Sequence, residues 1–173
     1  MSESLLNELR ARHAALVYER YEVTTNGKDL VVTFRFHLLP DIHFAPTVTI
    51  VGGAQMDRER LAPYLFNLGM VESLSYWKTA CPGVLEVRAG PLSEDAIAWW
   101  QDLYLYGLGE FYFRNQIDCA AAPLVKIVST YNGQPHQRDD SPVEEGALVM
   151  VGGGKDSSLA LELLRPQAKV RKL

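Results

Sequence analysis

Residues 18–39 read YERYEVTTNGKDLVVTFRFHLL, and they establish how the N-terminal part of the chain folds. Two runs rich in β-branched and aromatic residues flank Asn26-Gly27, a dipeptide that tolerates the positive φ angles of a tight hairpin turn. The second run alternates strictly, and its apolar members are Val32, Phe34, Phe36 and Leu38. These apolar side chains are expected to face a core, while Arg35 and His37 share the opposite face of the strand.

Helices are predicted on both sides of this hairpin. Leucines spaced among charged residues predict an amphipathic helix from Ser2 to Val17. Residues 57–82 predict a second helix, divided near Pro63 or Gly69 and ended before Pro82, because proline and glycine both interrupt helices.

A third helix and three short strands complete this part of the chain. The helix lies within residues 92–115, where Ser93 is a suitable N-cap. Strands are predicted within residues 44–53, 84–90 and 125–130. Four acidic residues suit the positive ends of helix dipoles: Asp57, Glu59, Glu94 and Asp95. The whole pattern predicts an α+β domain over residues 1–130.

The composition excludes several classes of protein. The 173 residues carry a formal net charge of -4, which argues against a nucleic-acid surface because phosphate binding needs concentrated positive charge. Cys81 and Cys119 have neither the spacing nor the histidine neighbours of a zinc or redox motif. The sequence shows neither a signal peptide nor an apolar run of about 20 residues. We therefore expect a cytoplasmic protein that binds neither nucleic acid nor a membrane.

The sequence pattern changes after residue 130. Residues 131–146 read YNGQPHQRDDSPVEEG, a polar stretch of turn residues that predicts an interdomain linker. Residues 147–164 read ALVMVGGGKDSSLALELL, in which an apolar run passes through three glycines into a second apolar run. A strand, a glycine loop and a helix are therefore expected in residues 147–173, as the start of another domain.

The glycine loop has the features of a phosphate site. The first turn of a helix presents free backbone N–H groups and the positive end of its dipole to an anion. Glycines at 152–154 let the backbone approach a phosphate closely, and Lys155 supplies a full positive charge. Ser157 and Ser158 supply hydroxyl donors, and Asp156 can hold Mg²⁺, which prefers hard oxygen ligands.

The order of residues in the loop distinguishes between types of phosphate loop. The Walker pattern fails because Lys155 is followed by Asp156, and the dinucleotide fingerprint fails at its third glycine, where Ser157 stands. The loop instead resembles the SGGxDS loop of the N-type ATP pyrophosphatases, the PP-loop family. The matching residues are Gly152, at the usual serine position, and Gly153, Gly154, Lys155, Asp156 and Ser157. This resemblance implies binding of ATP and Mg²⁺, with Asp156 near the metal and one hydroxyl donor lost at Gly152.

Longer segments extend a resemblance over most of residues 20–165. They read FNLGMVESLSYWKTACP (66–82), VRAGPLSEDAIAWWQDLYLYGLGEFYFRN (87–115) and VGGGKDSSLALELLR (151–165). Together they resemble the bacterial UDP-N-acetylmuramoyl-L-alanyl-L-glutamate epimerase family. The resemblance implies an α+β N-terminal domain followed by an α/β PP-loop domain of the adenine nucleotide alpha hydrolase type. It also implies ATP-dependent conversion of the terminal L-glutamate of a UDP-N-acetylmuramoyl dipeptide to D-glutamate, with release of AMP and diphosphate, in peptidoglycan precursor synthesis.

Residues 152–173 are too few to complete a PP-loop domain. Each further βαβ unit takes about 30 residues or more, and Pro166 is expected to stop the helix. We therefore expect a truncated domain that contains only its first strand, loop and helix. The chain is expected to be an incomplete portion that is inactive alone, or one that needs a second chain to complete the domain.

Other side chains are candidates for substrate contacts. His37 and His43 are candidate acid-base groups because histidine titrates near neutrality, although a histidine on an exposed strand face more often has no such role. Three arginines could pair with a substrate carboxylate or a diphosphate: Arg35, Arg88 and Arg114. Seven aromatic residues at helical spacing indicate core packing, with a uridine platform as the alternative: Trp77, Trp99, Trp100, Tyr104, Phe111, Tyr112 and Phe113.

Three further functions stay open at this point. A different adenylating PP-loop enzyme, such as an amide- or thiol-forming ligase, would share the loop and act on another acid. A non-catalytic binding remnant would keep the fold without the reaction. Cys81 and Cys119 could be the two bases of a cofactor-free racemase, although nothing in their sequence surroundings singles them out.

Overall fold

The computed structural model of the chain describes residues 3–119, 124–136, 149 and 151–166. The chain divides into two units, Met1–Gln137 and Arg138–Leu173. In chain order the helices and strands are α1 (Glu3–Arg12), β1 (Ala15–Asn26), β2 (Asp29–Leu38), β3 (Ile42–Phe44), β4 (Thr47–Ile50), α2 (Arg58–Trp77), β5 (Val84–Val87), α3 (Glu94–Tyr106), α4 (Gly109–Asn115), β6 (Lys126–Ser129) and α5 (Lys155–Leu164). Among the residues described, no helix combines the length and the apolar character needed to cross a membrane.

The hairpin predicted from residues 18–39 is confirmed. β1 and β2 pair antiparallel along their length, and the chain reverses at Gly27, whose φ of 60° favours glycine. The buried side chains of β2 are Leu30, Val32, Phe34, Phe36 and Leu38. Arg35 and His37 lie on the other face of the strand, as the alternation predicts.

β1 lies in the middle of a mixed six-stranded sheet. The strand order is β3-β2-β1-β5-β6, and β4 also pairs with β2. β1 is antiparallel to β2 and parallel to β5, which is in turn parallel to β6. The outer edge of β2 is covered by two short strands, β3 near Leu38 and β4 near Leu30. The strands predicted at 84–90 and 125–130 are confirmed, whereas β3 is too short to show an alternating pattern in the sequence.

Aromatic side chains join the helices to one face of the sheet. Tyr18 of β1 stacks on Phe66 of α2 with ring centroids 6.0 Å apart. Trp77 of α2 meets Tyr104 of α3 edge to face at 5.3 Å, and the Tyr104 hydroxyl lies 2.8 Å from the Ser73 hydroxyl. Burial of each such side chain stabilises the folded state by about 1.5–3 kcal/mol, so these aromatic residues contribute much of the stability of the core.

The aromatic residues predicted as core are divided between the interior and the surface. Trp77, Trp100, Tyr104 and Tyr112 are buried, as predicted. Phe111 is partly buried against the same core. Trp99 and Phe113 are exposed, with relative accessibilities of 59% and 86%. The prediction of core packing is therefore wrong for Trp99 and Phe113, each of which is next in sequence to a buried aromatic residue and lies on the exposed side of its helix.

The helix predicted from Ser2 to Val17 is wrong in its last part. α1 ends at Arg12, and β1 begins at Ala15, where it pairs with β2 and β5. Pairing on both edges of a central strand outweighs the helical preference of Leu16, and Val17 is itself suited to a strand. Arg10 attaches α1 to the domain, because its guanidinium donates hydrogen bonds to backbone carbonyls at 2.8 Å.

The division predicted in the second helix is also wrong. α2 runs unbroken from Arg58 to Trp77, with Asp57 as its N-cap. Its end before Pro82 is as predicted. Pro63 lies early in the helix and is accommodated there without a break. Gly69 does not interrupt the helix either. Its lack of a side chain lets α2 approach the Tyr18 ring.

The third helix begins as predicted and is then interrupted. The Ser93 hydroxyl accepts a hydrogen bond from the backbone N–H of Ala96, and Glu94 and Asp95 lie in the first turn of α3. The predicted helix over residues 92–115 consists of two helices, since α3 ends at Tyr106 and α4 begins at Gly109.

The second unit is described through α5. This helix starts at Lys155, directly after the glycines, and ends at Leu164, ahead of Pro166. Most of the strand predicted from residue 147 lies outside the described residues, and Val149 and Val151 have no regular secondary structure. The predicted linker has no regular structure over residues 131–136, and its remainder is outside the described residues.

We expect the close approach of α2 to β1 to make Gly69 intolerant of a methyl group. A Cβ at Gly69 would collide with the Tyr18 ring and hydroxyl and come within 2.8 Å of Phe34. Overpacking of this kind costs about 1–3 kcal/mol, which outweighs the gain of about 1 kcal/mol in helix propensity. Gly69→Ala should therefore lower the free energy of unfolding, measured by urea titration followed by circular dichroism.

Gly109→Ala is the matched control for this measurement. Among the described residues, no atom lies within 4 Å of a Cβ built at Gly109, which is also helical. Its stability should be unchanged or slightly raised. Tyr18→Phe should reduce the penalty of Gly69→Ala, since the hydroxyl is one of the atoms in conflict. Equal effects of alanine at the two glycines would contradict the packing account.

We expect the two cysteines to differ strongly in reactivity. Cys81 is buried, which raises the pKa of its thiol to about 11, whereas Cys119 is exposed. Because the thiolate is the reactive form, a thiol reagent at about pH 8 should modify one cysteine rapidly in the native protein and both after unfolding. Cys119→Ser should abolish the rapid phase. A rapid reaction at Cys81 would show that this part of the core is accessible.

Candidate functional site

The sheet surface opposite the aromatic core carries ionisable side chains from four neighbouring strands. We call it the polar face, and its members are Glu19, Arg20, Glu22, Arg35, His37, His43, Glu86 and Arg88. Residues that pair directly across neighbouring strands lie on the same side of the sheet. His37 pairs with both His43 and Val17, and Val17 pairs with Glu86, so the register puts these strands' polar side chains on one side. These side chains range from half-buried to exposed, so the face combines fixed geometry with access to solvent.

Glu22 holds two arginines on the polar face. Its two carboxylate oxygens accept hydrogen bonds of 3.0 Å, one from Nη2 of Arg35 and one from Nε of Arg20. The hydrogen bond from Arg35, followed by that from Arg20, holds the pKa of Glu22 below its usual value. The two guanidinium groups and the carboxylate thus form a fixed ionic network across β1 and β2.

A second ionic network occupies the neighbouring strand. Arg88 donates to both oxygens of Glu86, from Nε at 2.7 Å and from Nη2 at 2.9 Å. The Thr130 hydroxyl donates to the same carboxylate at 2.8 Å. The hydrogen bonds from Arg88 lower the pKa of Glu86, and the same contact raises the pKa of Arg88.

All three arginines proposed as substrate contacts therefore already bind a carboxylate of this chain. Arg35 binds Glu22 and Arg88 binds Glu86, as described above. Arg114 lies on α4, where its Nε is 2.9 Å from a carboxylate oxygen of Glu110. A substrate anion would have to compete with these contacts, and a substrate role for any of the three stays a prediction.

His37 is held in place by its backbone neighbour and faces a carboxylate. Its Nε2 lies 2.8 Å from the carbonyl oxygen of Pro40, an acceptor, so this nitrogen carries the proton. Its Nδ1 lies 3.7 Å from Oε1 of Glu19. The ring is thereby oriented with Nδ1 towards Glu19.

The structure brings the two candidate histidines together. His43 of β3 lies directly opposite His37, and the two rings stack with centroids 4.0 Å apart. One ligand atom from each of Glu19, His37 and His43 lies within 4.8 Å of the other two. An acid-base role for the histidines stays a prediction, but their proximity to each other and to a carboxylate is a property of the fold.

Glu19 is a candidate residue that the sequence does not reveal. A β-bulge interrupts the pairing of β1 with β2, since Tyr18 lies opposite Phe36 while Arg20 lies opposite Arg35. Glu19 is the extra residue, so Glu19 and Arg20 both lie on the polar face and Tyr21 returns to the core side, opposite Phe34. Alternation from Tyr18 places Glu19 on the polar face. No local sequence signal marks the bulge or the contact of Glu19 with His37.

The glycine loop of the second unit has an open backbone. Gly153 has a φ of 77°, a conformation that favours glycine, and Gly154 is the N-cap of α5. No atom of the described residues lies within 4 Å of a Cβ built at Gly152, Gly153 or Gly154. Lys155 begins the helix, and it is exposed.

These features fit a phosphate group at the start of α5. Within the described part of the chain, no side chain makes a cap hydrogen bond to this helix, so its first N–H groups are not used by such a cap. Lys155 and Asp156 lie in the first turn, where a cation can contact phosphate and a carboxylate can contact Mg²⁺. The hydroxyls of Ser157 and Ser158 donate instead to the Gly154 carbonyl, at 2.9 and 3.1 Å. The residues present thus have room and donors for a phosphate group, mainly the backbone and Lys155, and binding of ATP and Mg²⁺ stays a prediction.

Cys81 does not have the environment of a catalytic base. The core buries Cys81, and burial raises the pKa of its thiol to about 11, with the Arg10 charge acting in the opposite direction. Cys119 is exposed. Because a base needs an available thiolate, Cys81 is unsuited to removing a proton near neutral pH.

The sequence of this chain is similar to that of proteins named UDP-N-acetyl-alpha-D-muramoyl-L-alanyl-L-glutamate epimerase. The protein from Xanthomonas oryzae pv. oryzae is 30% identical over 159 residues, which cover 88% of this chain and 30% of that protein. The proteins from Micromonospora sp. and Salinispora tropica are 37% and 35% identical over 98 residues, or 57% of this chain and 21% of each protein. The matched part thus spans a third or less of these relatives.

A protein family matches nearly the whole chain, whereas no solved structure matches it. The family described as the MurL N-terminal domain matches residues 7–172, which include both the polar face and the glycine loop. This match and the three relatives agree with each other. The chain therefore belongs to the MurL N-terminal domain family.

Proposed function

We propose that the complete protein carrying this chain epimerises the terminal L-glutamate of UDP-N-acetylmuramoyl-L-alanyl-L-glutamate in peptidoglycan precursor synthesis. Membership of the family, together with the shared name of the three relatives, is the observation that carries this proposal. The substrate is proposed for the complete protein, because the matched part covers only 30% of the Xanthomonas oryzae relative.

The proposed reaction consumes ATP to make an unreactive proton removable. An ionised carboxylate disfavours a second negative charge on the adjacent α-carbon, and transfer of AMP to the carboxylate cancels its charge. Each unit by which the α-carbon pKa falls is worth about 1.4 kcal/mol. A base then removes the proton, reprotonation from the other face gives D-glutamate, and water releases AMP.

The glycine loop is proposed to hold the two phosphates that leave as diphosphate. Backbone N–H groups at the start of α5 would bind phosphate oxygens, and Lys155 would stabilise the charge that develops on the leaving group. Mg²⁺, which Asp156 would hold, supplies further neutralisation of phosphate charge. The open backbone at Gly152–Gly154 and the uncapped helix start support this assignment.

The domain organisation belongs to the same proposal. An α+β domain would occupy residues 1–130, a linker residues 131–146, and the first strand, loop and helix of a PP-loop domain residues 147–173. Adenine, ribose and catalytic contacts would come from the remaining part of the protein, in the same or a second chain. The 173-residue chain alone is then expected to have little or no epimerase activity.

A chimera tests the role of Lys155. In it, this chain replaces the matching N-terminal part of the Xanthomonas oryzae relative. The chimera should convert the UDP-dipeptide and release AMP, and Lys155→Ala should slow AMP release by about 100-fold or more, since loss of one donor to a developing charge typically costs that much. Chiral analysis of the glutamate obtained by acid hydrolysis of the product reports the epimerisation.

Lys126→Ala is the matched control, because Lys126 is an exposed lysine on β6 in the other unit. Its AMP release should equal that of the unsubstituted chimera. Unchanged turnover in Lys155→Ala would remove the role given to the loop. A folded chimera that releases AMP with another acid, and not with the UDP-dipeptide, would favour a different adenylating enzyme.

A further inference from the structure

Three side chains with metal-ligating atoms meet on the polar face, one from each of three adjacent strands. Glu19 comes from β1, His37 from β2 and His43 from β3. Their ligand atoms lie within 4.8 Å of one another. From this geometry we propose that Glu19, His37 and His43 bind a divalent transition-metal ion, with Zn²⁺ as the ion that fits best.

His37 is prepared for this role by its hydrogen bond to the backbone. The proton on Nε2 is directed to the Pro40 carbonyl, which leaves the lone pair on Nδ1 as the nitrogen that faces Glu19. Metal-bound histidines generally donate their other ring N–H to a carbonyl or carboxylate in this way. The bond fixes both the tautomer and the direction of the ring.

Glu19 is the carboxylate on this face with the weakest contacts to arginine. Its Oε2 lies 3.9 Å from Arg20, whereas Arg20 and Arg35 make hydrogen bonds of 3.0 Å to Glu22, and Arg88 binds Glu86. The stronger contacts leave Oε1 of Glu19 directed at His37. A divalent ion would therefore add to the ionic networks without breaking either of them.

The dimensions of the cluster suit a zinc ion after a small adjustment. Bonds of about 2.0–2.1 Å to Zn²⁺ in a tetrahedral site put ligand atoms about 3.4 Å apart. Nδ1 of His37 and Oε1 of Glu19 are already 3.7 Å apart. A metal ion lies in the plane of each imidazole that binds it, so the exposed ring of His43 would rotate out of its stack on His37 and direct a nitrogen at the ion. Two imidazoles and one carboxylate favour zinc over Mg²⁺, and water can occupy the open coordination position.

Metal binding would add a link between β3, which is held by a short ladder, and the two long strands beside it. β3 has three residues and pairs with β2 over three positions. An ion that links His43 to His37 and Glu19 would fasten β3 to the middle of the sheet. The inference concerns the first unit alone and does not rest on the function proposed for the glycine loop.

Titration of the purified 173-residue chain with Zn²⁺ in a calorimeter tests the proposal. We expect one ion per chain and a rise of several degrees in Tm, because a ligand that binds only the native state stabilises it. Glu19→Gln and His43→Ala should each weaken binding by about 10-fold or more. Co²⁺ in place of zinc should give visible absorption bands that are lost in His43→Ala.

Two control variants test whether zinc binds to side chains outside the proposed site. His136→Gln removes a histidine away from the polar face, and Cys119→Ser removes the exposed thiol. Both should bind Zn²⁺ as the unsubstituted chain does. Absence of binding in the unsubstituted chain would overturn the proposal. So would binding that survives unchanged in Glu19→Gln and His43→Ala, provided that circular dichroism shows both to be folded.

Discussion

Close contact between Tyr18 and Gly69 sets the distance between the sheet and its longest helix. A side chain at Gly69 would overlap the Tyr18 ring, so only glycine lets α2 lie this near to β1. Tyr18 can then stack on Phe66, and the aromatic core extends from there towards Trp77 and Tyr104. Because β1 is the central strand, this contact lies at the middle of the covered face, and the ionisable side chains lie together on the other.

The sequence predicts those parts of the fold whose determinants are local. The Asn26-Gly27 turn and the alternation along β2 are visible within about a dozen residues, and the hairpin forms as expected. The boundary between α1 and β1 is different, because Leu16 and Val17 become strand through pairing with β2 on one side and β5 on the other. Local propensity carries no information about partners so distant in sequence.

The same distinction applies to the candidate sites. His37 and His43 stand out in the sequence, but their stacking depends on β3, which is too short to be recognised. Glu19 joins them at the β-bulge of β1, which no local sequence pattern marks. The glycine loop, in contrast, is contained in six consecutive residues, so a prediction of its type needs no distant partner. The structure shows in addition that the hydroxyls of Ser157 and Ser158 donate hydrogen bonds to a backbone carbonyl of the loop itself.

The bulge in β1 also determines which changes in chain length the sheet can absorb. Residues on both sides of Glu19 are already in register with β2, since Tyr18 lies opposite Phe36 and Arg20 opposite Arg35. Removal of Glu19 would close the ladder and leave every other pair intact. Removal of a neighbour from the regular part of β1 would exchange the inner and outer side chains of one segment. A deletion at the bulge, of Glu19 or of Arg20, is thus the change in chain length that would leave the inner and outer sides of this strand as they are.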